Sequence, residues 1–311
     1  MSHSSDEEEA ILKMDLVVND VRELMMSGSV KIDTNGIAAF GVGTATALER
    51  CLKRQAETEP RTRKPGSFYF SELGESCPRR MWFKINTPNL GEELAYHTRI
   101  KFLYGDVVEE MVLSLVELSG HEVTHRQENL EWTHPNVEGF SVRGRTDCVI
   151  DGILMDVKGA SKFGYEKFLK HEVLKNDNFG YGPQLGGYLF TMTQPKYGFN
   201  VNPSAAGFLA IQRDLGHITA DMYTVEELPI QDYTDMVAKV KFLSSGYGEH
   251  IPHARLPDVP EGAKGNMKLG TKCSYCEFKQ ACWPGLRTYS YSNGPMFLTK
   301  VVSEPKVPEI K

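Results

Sequence analysis

Asp147 and the triplet Asp156-Val157-Lys158 stand on either side of Asp151-Gly152, a dipeptide that favours a two-residue hairpin turn between apolar runs. Counting outward from that turn, Ile150 faces Ile153, Val149 faces Leu154, Cys148 faces Met155, and Asp147 faces Asp156. Strand alternation then places Asp147, Val149, Leu154, Asp156 and Lys158 on one face, and Cys148, Ile150, Ile153, Met155 and Val157 on the other. Carboxylates directly opposite each other repel. A hard divalent ion such as Mg²⁺, which takes oxygen ligands, would hold them together. The competing reading is a solvated sheet face with an incidental acidic pair.

A second constellation is made of sulfur. Cys273, Cys276 and Cys282 form a C-x2-C-x5-C cluster, and Cys77 lies far upstream in Gly74-Glu75-Ser76-Cys77-Pro78-Arg79-Arg80, which leaves Cys51 and Cys148 over. With no export signal, disulfides are not expected. Close-spaced thiolates fit a metal or an iron-sulfur cluster, and the spacing by itself favours tetrahedral zinc.

These groups must be positioned by an ordinary globular chain. Its 311 residues are 41% hydrophobic and 24% charged, enough for one large domain or two small ones. No apolar run approaches the ~20 residues that span a bilayer, and the N-terminus is acidic (Asp6 to Glu9), so neither a membrane span nor a signal peptide is expected and a cytoplasmic setting is. A net charge of -6 leaves nucleic-acid binding to local basic surface. Lys158, Lys162, Lys167, Lys170 and Lys175 form one such run, and residues 50–64 another; either could be a solvated helix face.

Along the chain, residues 1–66 read as an N-terminal helical extension: a helix over 11–26, a Gly-rich stretch, a helix over 44–56 and a polar linker over 59–66. The main domain is expected over 67–286 and a tail over 287–311. A helix over 96–118 carries an apolar stripe at 100, 103, 107, 111, 115 and 118 and is expected to face the core. Strands follow near 122–132, 139–150 and 153–158, helices near 162–174 and 183–192, strands near 197–202, 207–213 and 217–224, and a helix over 230–243. The order predicts a mixed α/β fold.

Taken together, Gly105-x-x-x-Glu109, Gly144-Arg145-Thr146-Asp147, Asp156-Val157-Lys158, Gln184-x-x-x-Tyr188 and the four split cysteines resemble the RecB-type nucleases of the PD-(D/E)XK superfamily. The likeness is greatest to the iron-sulfur branch, which includes CRISPR-associated and phage-encoded exonucleases, and it spans about 71–284. Each motif alone is weak; their order and the cysteine spacing carry the resemblance. At Glu109 the chain departs from many relatives, which carry histidine there.

The resemblance implies a PD-(D/E)XK core, a mixed central sheet flanked by helices, with an iron-sulfur-stapled C-terminal segment. It implies a DNA exonuclease of phage or bacterial recombination and processing, using Mg²⁺ or Mn²⁺ held by Glu109, Asp147, Asp156 and the Val157 carbonyl. Asp147, Asp156, Lys158, Gln184 and Tyr188 would be catalytic, and Cys77, Cys273, Cys276 and Cys282 would hold a 4Fe-4S cluster. Glu110 would point about 100° away from Glu109 around its helix. Arg79, Arg80, Arg145 and Lys162 are candidate DNA contacts, Arg145 by its register opposite Lys158, and Trp82, Phe83 or Tyr165 could stack on bases. An endonuclease, or a subunit of a larger machine, is the enzymatic alternative, and a non-catalytic DNA-binding module is the alternative from another class. No G-x-x-x-x-G-K-[ST] motif is present, so unwinding would fall to a partner. Self-association or a recombination partner is compatible with the sequence.

Overall fold

The computed structural model describes residues 3–27, 34–56, 63–93, 96–134, 139–292 and 294–310. The chain divides into two compact units, residues 1–74 with 95–240 and residues 75–94 with 241–311, so the expected boundaries near 66 and 286 are not where the division falls.

The first unit contains α1 (His3–Met26), α2 (Thr34–Ala56) and β1 (Ser67–Tyr69). After α3 (Pro78–Asn86), which belongs to the second unit, come α4 (Tyr96–Leu118), β2 (Val123–Thr124), β3 (Asn129–Thr133), β4 (Ser141–Arg145), β5 (Cys148–Ile150) and β6 (Ile153–Ala160). Then follow α5 (Lys162–Leu169), α6 (Tyr181–Met192), β7 (Ala205–Gln212), β8 (Ile218–Thr224) and α7 (Tyr233–Ser244), within which the division falls.

The main sheet has the order β2-β5-β6-β7-β8, and a smaller one the order β1-β4-β3. Within the main sheet β6 and β7 are parallel, joined by the α5–α6 crossover that parallel neighbours require, and its other pairings are antiparallel. The fold is thus α/β, with mixed sheets flanked by helices. Cys148, Ile150, Ile153, Met155 and Val157 form one core with Met14, Val17 and Val21 of α1 and Val108, Val112 and Val116 of α4. The apolar face read from the Asp151-Gly152 register is therefore the core face. The opposite face is covered as well, since Val149 and Leu154 are fully buried, which removes the solvated-face reading for this hairpin.

Several expectations are corrected. The N-terminal extension is built into the unit, because α1 has apolar residues at helical spacing (Ala10, Met14, Val17, Val18, Val21) that fill the core. Helix α2 begins at Thr34 and runs through Gly36, Gly41 and Gly43, where a Gly-rich break was expected. A Cβ at Gly43 would lie 2.4 Å from a Glu110 carboxylate oxygen, so a larger residue there would push that side chain aside. Of the expected linker over 59–66, residues 59–62 lie outside the described residues. On α4 the buried apolar residues are Val108, Val112, Leu113 and Val116, one step round from the expected stripe, whose Ile100 is 59% exposed. The strand expected over 139–150 breaks at Thr146-Asp147, and its halves enter different sheets. No strand forms over 197–202.

The second unit continues through β9 (Asp258–Glu261), β10 (Asn266–Leu269), α8 (Thr271–Ser274), α9 (Lys279–Cys282), β11 (Arg287–Tyr291), β12 (Gly294–Lys300) and β13 (Glu309–Ile310). Its antiparallel sheet has the order β13-β11-β12-β10-β9, so the expected C-terminal tail supplies three of its strands. Pro78 takes the first helical position of α3, where a missing N–H costs nothing, and Phe83 of α3 stacks on Phe278 at 5.3 Å between ring centroids. Among the described residues no helix is long and apolar enough to cross a membrane.

Candidate active site and cysteine cluster

The Asp151-Gly152 turn has positive φ at both residues (48° and 82°), as a two-residue hairpin requires, and its ladder pairs Ile150 with Ile153, Val149 with Leu154 and Cys148 with Met155. Asp147 would be next, but it lies outside β5. Its Oδ2 accepts a hydrogen bond from the Val157 backbone N–H at 2.8 Å, and its carbonyl accepts one from Gln127 N–H at 3.0 Å.

Asp156 is 5% exposed. Its Oδ2 makes no hydrogen bond in proper geometry among the described residues and meets Lys158 Nζ as an ion pair. Lys158 also lies 5.2 Å from the centre of the Tyr181 ring. Burial disfavours its charge, but Asp156 and Asp147 outweigh burial and hold the ammonium protonated. Glu109 comes from α4, where its Oε1 accepts a hydrogen bond from Gln127 Nε2 at 2.7 Å. Burial, with the charges of Glu110, Asp156 and Asp106, pushes Glu109 up to about 7. Asp147 is pushed well above the carboxylate range by burial and then by Asp156 and Glu109. Three carboxylates from separate elements thus share one field with a single lysine beside them. Glu110 points elsewhere, its Oε2 3.3 Å from Arg126 Nη1, as the helical step from Glu109 requires.

An open cavity of about 870 Å³ adjoins this cluster, lined by Glu109, Asp147, Gln184, Tyr188, Arg143 and Arg145 among others. Gln184 and Tyr188 share a face of α6, as their spacing predicts, and both reach the cavity. Tyr188 is nearly buried, donates its hydroxyl to the Arg145 carbonyl at 2.7 Å, and stacks on Phe70 at 4.4 Å. It therefore clamps β4 to α6. Burial, then Asp156 and Asp147, raise its phenol further.

The expected register of Arg145 opposite Lys158 is corrected: Arg145 pairs with Asn129 in the smaller sheet and reaches the cavity from there. Arg79 and Arg80 are engaged with neighbours in the second unit, and Arg80 lines the cavity of the cysteines. Arg79 is 8% exposed, donating from Nε to Cys282 Sγ at 3.3 Å and from Nη1 to the Pro252 carbonyl at 2.7 Å. Arg80 is held between Glu75 and Glu277. Trp82 donates its indole N–H to the Gly248 carbonyl, Phe83 is buried against Phe278, and Tyr165 is 6% exposed, so none of the three is presented as an open stacking surface. Lys162 is exposed on α5, just past the end of β6. Sequence reading missed Gln127, Asp106 and Arg143. Asp106 had a signal in its i,i+3 spacing to Glu109, and Arg143 in its i,i+2 spacing to Arg145.

In the second unit Cys77, Cys273, Cys276 and Cys282 line one small cavity with Phe83, Phe278, Leu256 and Trp283. Burial raises the thiols of Cys77, Cys273 and Cys276, reaching about 11 at Cys273 and about 12 at Cys276, and neighbouring sulfurs add to each. Among the described residues no group of three or more His, Cys, Asp or Glu side chains is drawn around one point so as to hold a metal ion.

No protein-family model matches the chain, and no curated protein is similar to it. Among solved structures, the crystal structure of SSO0001 is similar, with a TM-score of 0.44 and 18% identity, covering 77% of this chain and 95% of that one.

Proposed function

We propose that the chain is a metal-dependent DNA exonuclease with a PD-(D/E)XK core and a 4Fe-4S cluster, working in phage or bacterial DNA recombination or processing. One observation carries the reading: Glu109 and Asp147 line a large cavity with Arg143 and Arg145, and Asp156 shares their electrostatic field beside Lys158. In kind the donor set fits a hard divalent cation, because it is all oxygen and its carboxylates resist ionising together; the carboxylates are not drawn around one point and would close on the ion as it binds. Glu109, Asp147, Asp156 and the Val157 carbonyl would hold Mg²⁺ or Mn²⁺, which supplies activation of water and relief of charge on the phosphodiester. Lys158, kept charged by its two aspartates, donates to an equatorial phosphoryl oxygen as negative charge builds up. Arg143 and Arg145 bind flanking phosphates, and Gln184, at the cavity wall, orients the strand.

Four sulfurs lining one small cavity are the ligand type that a sulfur-bound cluster takes, and Cys77, Cys273, Cys276 and Cys282 would hold it. Arg79 Nε, donating to Cys282 Sγ, adds the kind of hydrogen bond that stabilises a thiolate ligand.

The deciding assay incubates anaerobically purified protein with linear and circular single- and double-stranded DNA and Mn²⁺ or Mg²⁺, alongside Asp156→Ala. Degradation of linear DNA only, abolished in the variant while DNA binding persists, is the expected result. Wild-type cleavage rates in Asp156→Ala would refute the site, and cutting of circles would replace exonuclease by endonuclease.

A further inference from the structure

Gln127 touches the Glu109 carboxylate with its side chain and the main chain of Asp147 with its own backbone. Its side-chain Nε2 donates to Glu109 Oε1 at 2.7 Å, and its backbone N–H donates to the Asp147 carbonyl at 3.0 Å. A third contact fixes the amide: Arg50 Nη1, on α2, donates to Gln127 Oε1 at 3.0 Å. A carboxylate only accepts hydrogen bonds and a guanidinium only donates them, so the amide can satisfy both neighbours in one orientation alone.

The backbone sets this up at a cost. Gln127 has φ of 52°, and His125 two residues earlier has φ of 48°. For residues other than glycine such conformations are strained and persist where surrounding contacts impose them. Here the imposing contacts are visible: Thr146 N–H donates to the Glu128 carbonyl and Thr146 Oγ1 to the His125 carbonyl, so both flanks of Gln127 are tied to the residue just before Asp147. The bend between β2 and β3 is thereby laid along Asp147, and the Gln127 side chain is aimed at α4.

We infer that Gln127 is a positioning residue that presents Glu109 to the divalent cation, and that Arg50 of α2 locks it in place. The inference rests on the metal reading proposed above. It also gives the N-terminal region a role in the site: α2, which packs against α4, supplies the outermost member of an Arg50–Gln127–Glu109 relay.

The test uses the full chain and Mn²⁺ itself as the probe, with its affinity read by titration calorimetry and by the electron paramagnetic resonance signal of the free ion. Gln127→Gly keeps the backbone N–H to Asp147 and relieves the positive φ, so thermal stability should hold or rise. Its Mn²⁺ affinity should fall about tenfold, the lower end of the usual effect of removing a group that supports a metal ligand. Gln127→Asn tolerates this φ but falls one methylene short of Glu109, and should lose affinity to the same extent. Arg50→Met should weaken binding about threefold in the wild-type background and have no further effect alongside Gln127→Gly, because members of one relay are not additive. Wild-type Mn²⁺ affinity in Gln127→Gly would overturn the positioning role, and additive losses would remove Arg50 from the relay. Failure of the unaltered protein to bind Mn²⁺ would instead bring down the metal reading, and the relay with it.

Discussion

Glu109 is the carboxylate whose protonation is most exposed to experiment, because its ordinary value of 4.5 is pushed up to about 7 by burial and then by Glu110, Asp156 and Asp106. A carboxyl raised on folding binds its proton more tightly in the native state. Its contribution to stability is therefore fully present below about 4.5 and lost as pH rises through about 7, the reverse of a salt-bridged carboxylate. Asp147 shifts in the same direction. In EDTA, Glu109→Gln should be more stable than wild type at pH 8 by on the order of 1–3 kcal/mol and should lose that advantage by pH 5. Thermal unfolding from pH 5 to 8 checks this, and parallel curves for the two proteins would contradict it. Saturating Mn²⁺ should reverse the ranking at pH 8, since it rewards the charged ligand. Asp147, Asp156 and Lys158 could be singled out in the sequence because one turn sets their register. Gln127 could not, because its importance lies in a left-handed backbone and in neighbours on two distant helices.

Elements were read well where a local signal dominates and poorly where packing chooses between equals. Helix α4 was placed at its observed bounds, yet its buried side was misjudged: it carries apolar residues on nearly every side, and the sheet and α1 take up the stripe through Val108, Val112 and Val116. The helix expected to continue to 174 stops at Leu169, because His171 takes a left-handed φ of 54° and is pinned by hydrogen bonds to Asp221 and Glu227. Before α6, Gly180 has φ of 77° and crosses Gly74 so closely that a Cβ on Gly180 would lie 2.7 Å from the Gly74 Cα. Gly180→Ala therefore combines a left-handed penalty with overpacking and should cost about 3 kcal/mol in urea unfolding. Gly41→Ala, in open space on α2, should instead stabilise by up to about 1 kcal/mol through helix propensity. Equal effects at the two positions would contradict this account of the crossing.

At the scale of the whole chain, the four cysteines all belong to the second unit, although residues 95–240 of the first unit separate Cys77 from the other three. A cluster bound there would add a further tie between α3 and the segment carrying α8 and α9, which Phe83–Phe278 stacking and the Arg80–Glu277 ion pair already hold together. Anaerobically prepared protein should be brown, with broad absorption near ~400 nm and about four irons per chain. Cys276→Ser should lose that absorption and destabilise the second unit, seen as faster proteolysis within residues 241–311. Stoichiometric zinc in the native preparation would replace the iron assignment by zinc.

By itself the sequence determined the α/β class, the β5–β6 register, the shared face of Gln184 and Tyr188, and the candidate ligands, because each follows from periodicity or turn chemistry over a few residues. Tertiary structure alone decided that the strand through Thr146-Asp147 divides between two sheets, that α1 and α2 belong to the first unit, and that Arg79 and Arg80 are committed to neighbours in the second. It also decided that Gln127 sits against Glu109. These outcomes depend on contacts between residues far apart in the chain, where several partners satisfy the same local pattern and only close packing selects among them.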